Sequence, residues 1–369
     1  MKVNVAVFYG CRSVEHEVSI ISAVQAMRAM DREKYDITPV YVTKEGEMYT
    51  GDSLFVIEEY RNLPELLKKC QKVNFLREDG KVVMKYTVGG LFKKEKTVAV
   101  DVAFPVVHGT NCEDGTLQGF LETLDLPYVG CGVLASAMGM DKEISKLIAR
   151  ETGAEVLPYC VVSRGQDYDK QELETWVKEA GLPVFVKPVR LGSSVGVRKV
   201  KEISELHEAV SFALQFDTDV MIEKGVDCAR EIFCALYGEG QTVKASACGE
   251  LRTVAGEFFD YNAKYVVAGG CETNVPADLP EDVQACMRED SQAIFRALRC
   301  SGLARVDFLM DKEGRYYFSE INTLPGMSDT SLFPQLFEAG GENYNDILDG
   351  LIQLALAVHA RKAELSLTR

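Results

Sequence analysis

The feature that most constrains the fold is a predicted β-hairpin near the C-terminal end of the chain. The run "GLARVDFLM" (302–310) and the run "RYYFSEIN" (315–322) alternate in polarity on either side of "DKEG", which is typical of a tight turn. A hairpin has to extend a sheet, and one face of this one carries charged residues where core residues would be expected. That face is a candidate functional site.

The register of the hairpin decides which side chains share that face. If Asp311 and Gly314 close the turn, each residue of the first strand faces one defined residue of the second strand. The predicted pairs are Asp307 with Phe318 and Arg305 with Glu320. The predicted polar face then carries Arg305, Asp307, Glu320 and Asn322.

The polar face predicts a metal site. Two carboxylates and an amide carbonyl are hard oxygen ligands of the kind that Mg²⁺ prefers, and they would leave coordination positions for phosphates. Two carboxylates pressed together on a sheet face are costly unless a cation neutralises them. The alternative is a polar strand end with no ligand. We favour metal ligation by Asp307, Glu320 and Asn322.

Composition limits the classes of partner. The net charge of -15 in 369 residues argues against a nucleic-acid surface, which needs a basic patch. No apolar run reaches the roughly 20 residues of a membrane span. Eleven cysteines are scattered without CxxC or zinc-type spacing, which is typical of reduced thiols in a cytoplasmic protein. We therefore expect a cytoplasmic protein with no nucleic-acid or membrane partner.

The chain is predicted to have three domains of α/β and α+β type. It opens with strand, turn and helix and continues with further strands, so the first domain (1–130) is α/β with parallel strands. Glycine-ended helices and loop-joined strands predict a partly antiparallel central domain (131–228). The third domain (229–369) contains the hairpin.

Several shorter motifs carry polar groups suited to a nucleotide, although each is weak when taken singly. Lys187 precedes the loop "GSSVG", whose backbone N–H groups and hydroxyls could hold phosphate oxygens. Lys142 opens a helix, and the loop "FFDYNAKY" (258–265) has the length and aromatic content of a lid. The alternatives are a solvated lysine and a loop that packs on itself.

Other candidate residues also have alternative explanations that involve no ligand. Glu223 and Glu231 could receive an adenine amino group and ribose hydroxyls, or be surface acids. Glu15 could bind a substrate, or favour the N-terminus of the first helix through the helix dipole. His108 in "VVHGTNCEDGTLQG" could be structural or part of a site.

The order of these motifs resembles the ATP-grasp fold, with ATP bound between the central and C-terminal domains. The strings "EHEVS", "VVHGTNCEDGTLQG", "MDK", "KPVRLGSSVGV", "FFDYNAKY", "LARVDFLMD" and "EINTLPGMSDTSLFP" closely resemble D-alanine–D-alanine ligases. The resemblance runs from the first strand to about residue 335. It implies a cytoplasmic homodimer that uses ATP, D-alanine and two Mg²⁺ or Mn²⁺ ions in peptidoglycan precursor synthesis.

The resemblance also implies a role for each matching residue. Glu15 and His108 would bind the first D-alanine, with Ser193 and Tyr265 supporting Glu15, while Ser331 and Leu332 would meet the second substrate. Arg305 and the Gly326 N–H would stabilise the oxyanion, and Asp307, Glu320 and Asn322 would hold the metal ions. The residues implied for ATP are Lys142, Lys187, Ser193, Ser194, Gly196, Glu223, Lys224, Val226, Glu231 and Lys264.

The chain departs from the family pattern in four places. Cys11-Arg12 stands where a glycine-led pair is usual, and the segment before Glu231 is one residue longer than expected. The tail after about residue 345 matches poorly. Asp329 adds a carboxylate to the turn that should receive the second substrate, and we expect its side chain to cap the local backbone amides.

Two alternatives to D-alanine–D-alanine ligation stay open. The first is the same chemistry with D-serine or D-lactate as acceptor. Leu332 and Tyr265 resemble those of the dipeptide-forming D-alanine enzymes, whereas Asp329 leaves the acceptor open. The second is a nucleotide-binding ATP-grasp protein without ligase activity, which the presence of Lys187 and Arg305 disfavours.

Overall fold

The computed structural model describes residues 2–87, 96–166, 168–226, 230–253 and 271–366. Its helices are α1 (His16–Ala29), α2 (Leu63–Lys69), α3 (Thr116–Leu124), α4 (Val133–Met140), α5 (Lys142–Glu151), α6 (Lys170–Ala180), α7 (Leu206–Ala213), α8 (Glu281–Ala297), α9 (Leu332–Glu338) and α10 (Tyr344–Ala363). Short 3-10 helices lie at Asp52–Phe55, Ile57–Asn62, Ile203–Glu205 and Gly240–Thr242. None of the helices in the described ranges is long and apolar enough to cross a bilayer.

The strands form three sheets. The first has seven strands, ordered β6-β5-β4-β3-β2-β1-β7, the second four, ordered β10-β9-β11-β8, and the third five, ordered β14-β13-β12-β15-β16. Their bounds are β1 (Val3–Gly10), β2 (Tyr35–Val42), β3 (Met48–Thr50), β4 (Gln71–Glu78), β5 (Lys81–Tyr86), β6 (Thr97–Ala99), β7 (Val102–Pro105), β8 (Tyr159–Ser163), β9 (Val184–Pro188), β10 (Arg198–Val200), β11 (Asp219–Lys224), β12 (Arg230–Glu239), β13 (Lys244–Thr253), β14 (Cys271–Asn274), β15 (Ser301–Met310) and β16 (Tyr316–Asn322).

The first sheet contains the predicted parallel unit. β1 pairs in parallel with β2 on one side and with β7 on the other, which confirms the α/β start. Both pairings bury β1 completely at its centre, where Ala6, Val7 and Phe8 are inaccessible to solvent. Parallel strands end at the same sheet edge, so the loops after β1 and β7 meet there. These loops carry Glu15 and His108.

The second sheet is antiparallel throughout its adjacent pairs, where the sequence predicted a partly antiparallel unit. Strands β9 and β11 lie side by side at its centre, and Met221 of β11 pairs with Lys187 of β9. Helices α6 and α7 cover one face and complete a separate hydrophobic cluster. The sheet thus brings the predicted phosphate-binding lysine next to the strand that carries Glu223.

Helices α4 and α5 pack differently from the predicted domain division. Both lie in the range 131–228 assigned to the central domain, yet their apolar residues Ala135 and Ala149 belong to the hydrophobic cluster of the third sheet. The helices contact β16 there. Because Lys142 is on α5, this packing places it beside the polar face of the hairpin. The domain boundaries themselves stay a prediction.

Candidate active site

The hairpin of β15 and β16 has a different register from the predicted one. Asp307 pairs directly with Glu320 and Arg305 with Asn322, instead of with Phe318 and Glu320. The turn is one residue longer than predicted, because the Asp311 N–H donates to the Arg315 carbonyl (2.9 Å). Further along, the pairing shifts by one residue between Phe308 and Asp307. The predicted cross-strand pairs were therefore wrong.

The irregularity is a β-bulge, and it restores the predicted polar face. Phe318 pairs with Phe308 and Glu320 with Asp307, so Ser319 is the extra residue on β16. Phe318 and Ile321 are both buried in the hydrophobic cluster of the third sheet. Because they are three positions apart, strict alternation would place them on opposite faces of the strand. The four residues Arg305, Asp307, Glu320 and Asn322 accordingly share one face.

Asp307 is at the centre of this face. Arg305 donates to it from Nε to Oδ1 (2.7 Å) and from Nη2 to Oδ2 (2.7 Å), and Asn322 donates from Nδ2 to Oδ2 (3.0 Å). Burial raises the pKa of Asp307 to about 6 against the opposing effect of Arg305, and Glu320 and Glu231 add to the rise. The charges of Glu320 and Glu231 therefore disfavour an ionised Asp307, and a bound cation would offset this effect.

A bound cation would fit this face chemically. Because Nδ2 of Asn322 points to Asp307, the amide oxygen of Asn322 is directed elsewhere and suits a metal. Within the described part of the chain, no group of three or more His, Cys, Asp and Glu side chains is arranged to hold a metal ion. The oxygen set is thus two carboxylates and one amide. Glu231, predicted to contact ribose, lies on this same face, two residues before the partner of Asp307 on β12.

Helix α5 brings two lysines to the site. Asp141 accepts from the N–H groups of Glu143 and Ile144 and so caps the helix at its first turn. Lys142, the first residue of the helix, donates to the Leu191 carbonyl (2.7 Å), and its Nζ lies 2.9 Å from Oε2 of Glu320. The lysine predicted to bind phosphate therefore contacts a predicted metal ligand.

Lys146, one turn later on α5, was not identified from the sequence. Its Nζ lies 2.7 Å from Oε1 of Glu223, whose Oε2 lies 2.6 Å from Nζ of Lys187. Burial lowers the pKa of Lys146 to about 8, although Glu223 opposes the shift. Burial alone would raise the pKa of Glu223, but the two ammonium groups hold it below its usual value.

The predicted nucleotide contact of Glu223 stays a prediction. In the structure its carboxylate is the buried counter-ion of Lys146 and Lys187. The N–H of Lys224 donates to the Pro158 carbonyl (2.9 Å), so this group is already engaged. Val226 follows the end of β11 and is half-buried. The spacing of four between Lys142 and Lys146 was the available signal for the second lysine, because such residues share one helix face.

The glycine-serine loop closes on the first domain. Ser193 and Ser194 have positive φ values of 52° and 56°, and Gly196 has a φ of 75°. A Cβ at Gly196 would lie 2.8 Å from Cγ of Pro188, so only glycine fits. The hydroxyl of Ser193 donates to Oε1 of Glu15. The structure thus brings Ser193 and Glu15 together, as the resemblance implies.

The pocket around Glu15 is built by the loop after β7. The Ser13 hydroxyl accepts from the Glu15 N–H (3.1 Å) and donates to the His108 carbonyl (2.6 Å). Nδ1 of His108 lies 3.0 Å from the Leu324 carbonyl, and its buried Nε2 has no partner in the described ranges. Burial lowers the pKa of His108. His108 therefore links the first domain to the segment that follows β16.

Glu113 is a second site residue to which the sequence analysis assigned no role, although it lies in the same motif as His108. Its oxygens accept from the Gly109 N–H (2.7 Å) and the Leu324 N–H (3.2 Å). Burial raises its pKa to about 8, and the charge of Glu15 is the next cause. It reinforces the same link between domains. The string "HGTNCEDG" contained it, but only the tertiary structure shows that Leu324 is its partner.

The turn after β16 is tightly bonded. The Ser331 hydroxyl accepts from the Ser328 N–H (3.0 Å), and a Cβ at Gly326 would lie 2.7 Å from that hydroxyl. A side chain at position 326 would therefore displace the Ser331 hydroxyl from its present position. The Ser331 N–H donates to the Ser328 carbonyl (3.0 Å) and Asp329 is exposed. The predicted cap by Asp329 on the Ser331 amide is therefore wrong.

Two further predictions have different outcomes. Leu332 begins α9 and packs partly buried against the first hydrophobic cluster. Lys264 and Tyr265 lie outside the described residues, as does the predicted lid around them. Their roles stay predictions.

Comparison with known proteins agrees with the geometry. Family models described as D-ala D-ala ligase N-terminus and C-terminus match residues 4–131 and 148–353. D-alanine–D-alanine ligase A of Bradyrhizobium diazoefficiens is 40% identical over 370 residues, covering 99% of this chain and 98% of that protein. D-alanine–D-alanine ligase of a Thermoanaerobacter species is also 40% identical, with 98% of each covered.

Solved structures show the same similarity. The D-alanine–D-alanine ligase from Coxiella burnetii superposes with a TM-score of 0.85 at 31% identity, covering 98% of this chain and 96% of that one. The VanG D-Ala:D-Ser ligase from Enterococcus faecalis gives a TM-score of 0.81 at 32% identity, covering 96% and 100%. Since the matches span essentially the whole chain, the protein belongs to the D-alanine–D-alanine ligase family and has its ATP-grasp fold.

Proposed function

We propose that the protein is an ATP-dependent ligase that joins two D-alanine molecules through a D-alanyl phosphate intermediate, for peptidoglycan precursor synthesis. The observation that carries the proposal is the contact between Ser193 and Glu15, which are 178 positions apart. It encloses an anionic pocket suited to an amino acid's ammonium group, next to the loop that follows Lys187. The pocket and the phosphate-binding lysines thus belong to one cleft.

The residues divide the first half-reaction between them. Glu15 and His108 orient the first D-alanine so that its carboxylate oxygen faces the γ-phosphate. Lys142 and Lys187 offset the charge of the phosphates while the oxygen–phosphorus bond forms and ADP leaves. Asp307, Glu320 and Asn322 would hold Mg²⁺ or Mn²⁺, which supplies further neutralisation of the phosphates when it is bound.

The second half-reaction needs an oxyanion site and an acceptor site. The amine of the second D-alanine attacks the acyl carbon, and the tetrahedral species collapses to dipeptide and phosphate. Arg305 and the Gly326 N–H stabilise the oxyanion, and Ser331 holds the acceptor's carboxylate. None of these steps needs a covalent nucleophile from the protein. The roles of Ser194, Gly196, Glu231 and Lys264 toward ATP are part of the same proposal.

D-serine is the second candidate for the acceptor, and a structural similarity supports it. The VanG protein named as a D-Ala:D-Ser ligase is about as similar in structure as the D-alanine enzymes are. Asp329 is exposed in the acceptor turn, where a carboxylate can influence which acceptor binds. Leu332 is partly buried against an apolar cluster, which suits an apolar acceptor side chain better than a hydroxymethyl group.

The test is ATP-dependent phosphate release with D- and L-alanine, D-serine and D-lactate, combined with product mass. We expect D-alanyl-D-alanine as the main product. A main product that contains D-serine would replace the acceptor, and nucleotide binding without phosphate release for any substrate would favour a non-catalytic ATP-grasp protein. Size determination in solution tests the proposed homodimer, and cell fractionation tests the proposed cytoplasmic location.

The metal assignment has its own test. Glu320→Gln keeps the shape of the side chain and removes its charge, so turnover should fall by about 100-fold or more with little effect on folding. The matched control is Glu313→Gln, an exposed glutamate in the turn of the same hairpin. Near-normal turnover of Glu320→Gln at saturating Mg²⁺ would contradict the assignment.

A further inference from the structure

Lys146 is a buried lysine for which the proposed reaction supplies no role. Its side chain is completely inaccessible to solvent. Burying an ammonium costs several kcal/mol unless charged and polar partners compensate for the lost water. An apolar side chain of the same length would fill this space at lower cost. The retained charge therefore points to a role in the site beside it.

The contacts of Lys146 reach two different sheets. Through Glu223 it is linked to Lys187, since that carboxylate lies 2.7 Å from one ammonium and 2.6 Å from the other. Both Glu223 and Lys187 are in the second sheet. The orientation of the phosphate-binding lysine is thus set by a carboxylate that Lys146 holds from the opposite side.

The other contact is with the hairpin in the third sheet. Nζ of Lys146 donates to the Phe318 carbonyl (3.0 Å). Phe318 is the last regularly paired residue before the bulge at Ser319, and its N–H donates to the Glu155 carbonyl (2.8 Å). Both backbone groups of Phe318 are therefore held from outside the hairpin, at the point where the bulge turns Glu320 and Asn322 onto the polar face.

We propose that Lys146 is a positioning residue that fixes Lys187 and the Glu320–Asn322 edge relative to each other. The proposal rests on the proposed ligase function. A single ammonium joins the phosphate-binding sheet to the proposed metal-binding strand, so its loss would misalign two groups that act on the same phosphates. Misplacement by about an ångström is costly for a reaction that depends on positioning and electrostatics.

The experiment uses Lys146→Met in the full-length chain. Methionine is of similar length, and the variant leaves Glu223 and Lys187 as a one-to-one pair, so folding should be retained. We expect kcat to fall about tenfold or more and Mn²⁺ binding in the presence of ADP to weaken several-fold, while the KM for D-alanine changes less than about twofold. The Mn²⁺ measurement does not depend on turnover.

The control is Lys178→Met, which removes an exposed helical lysine from an ion pair with Glu174 and should change none of these values. Lys146→Gln keeps a donor for the Phe318 carbonyl and should restore part of the Mn²⁺ affinity. Unchanged kcat and Mn²⁺ affinity in a less stable Lys146→Met protein would show a purely structural role. Failure of both variants to fold would equally reject positioning.

The outcomes for Lys146 and for the proposed function can be separated. If the wild-type protein forms no product from any amino acid, the proposed function fails, while weakened binding of Mn²⁺ and ADP in Lys146→Met would still show coupling of the two sheets. If the wild type is active and the variant binds and turns over normally, only the positioning role fails.

Discussion

Replacement of Glu223 by glutamine tests the buried charge cluster directly. Glu223 is 2% exposed, Lys146 is completely buried, and each ammonium lies within 2.7 Å of a carboxylate oxygen. At an effective dielectric constant of about 20, each pair at this distance attracts by about 6 kcal/mol. Most of that energy offsets the loss of hydration. Breaking a buried pair by removing one partner typically costs about 3–5 kcal/mol, and we expect a loss of this size near pH 7.

The pH dependence gives the prediction a sign. The pKa of Glu223 is lowered on folding, so its contribution is fully present above its unfolded value of 4.5 and the variant lacks it at any higher pH. The pKa of Lys146 is about 8 in the folded wild type and falls further without Glu223. At a pH between the folded-state pKa of Lys146 in the variant and that in the wild type, Lys146 has to release a proton on folding only in the variant. Its deficit in stability therefore grows as the pH falls below about 8.

The assay is urea denaturation followed by circular dichroism at about pH 6.5 and about pH 9.5. The larger deficit of Glu223→Gln should appear at the lower pH. Glu174→Gln is the matched control, because Glu174 pairs with Lys178 and His207 near the surface and its loss should destabilise the protein much less than that of Glu223. A deficit below about 1 kcal/mol at the lower pH, or a larger one at the higher pH, would refute the argument.

Three further substitutions test other parts of the site. Arg305→Ala should abolish dipeptide formation and leave ATP affinity within a few-fold, because the guanidinium acts mainly on the transition state; an equal fall in ATP affinity would make it a nucleotide ligand. Asp329→Ser should keep the acceptor KM for D-alanine within a few-fold, since Asp329 is exposed; a tenfold drop in KM or a new preferred acceptor would contradict this. Gly109→Ala should raise the KM for D-alanine about tenfold, since its φ is 78° and a Cβ would lie 2.6 Å from Oε2 of Glu15. Gly46→Ala has a similar φ of 87° with open space around it and is the kinetic control.

The hairpin shows how far local sequence patterns reach. Alternation predicted that Arg305, Asp307, Glu320 and Asn322 share a face, and they do. The pairing was wrong because the turn and the bulge each add one residue. The two shifts sum to two residues, which is the repeat of a strand, so the same face is restored. The bulge depends on the burial of Phe318 and Ile321 against helices far away in the chain.

The ion pairs of the lysines are likewise beyond what local sequence patterns predict. Local motifs predicted that Lys142 and Lys187 belong to a phosphate site, and this stays a prediction. They did not indicate that Glu223 is a buried counter-ion or that Lys146 reaches Phe318, because those contacts are made between separate sheets. Burial and charge pairing depend on which elements pack together.

The sequence by itself therefore determined the α/β opening, the family, and the residue types that the site needs. Only the tertiary structure decided the register of the hairpin, the partners of Glu223 and the joining of Glu15 to Ser193. The physical reason is that helix caps and strand alternation act over a few residues, whereas desolvation and ion pairing act between segments that the fold brings together.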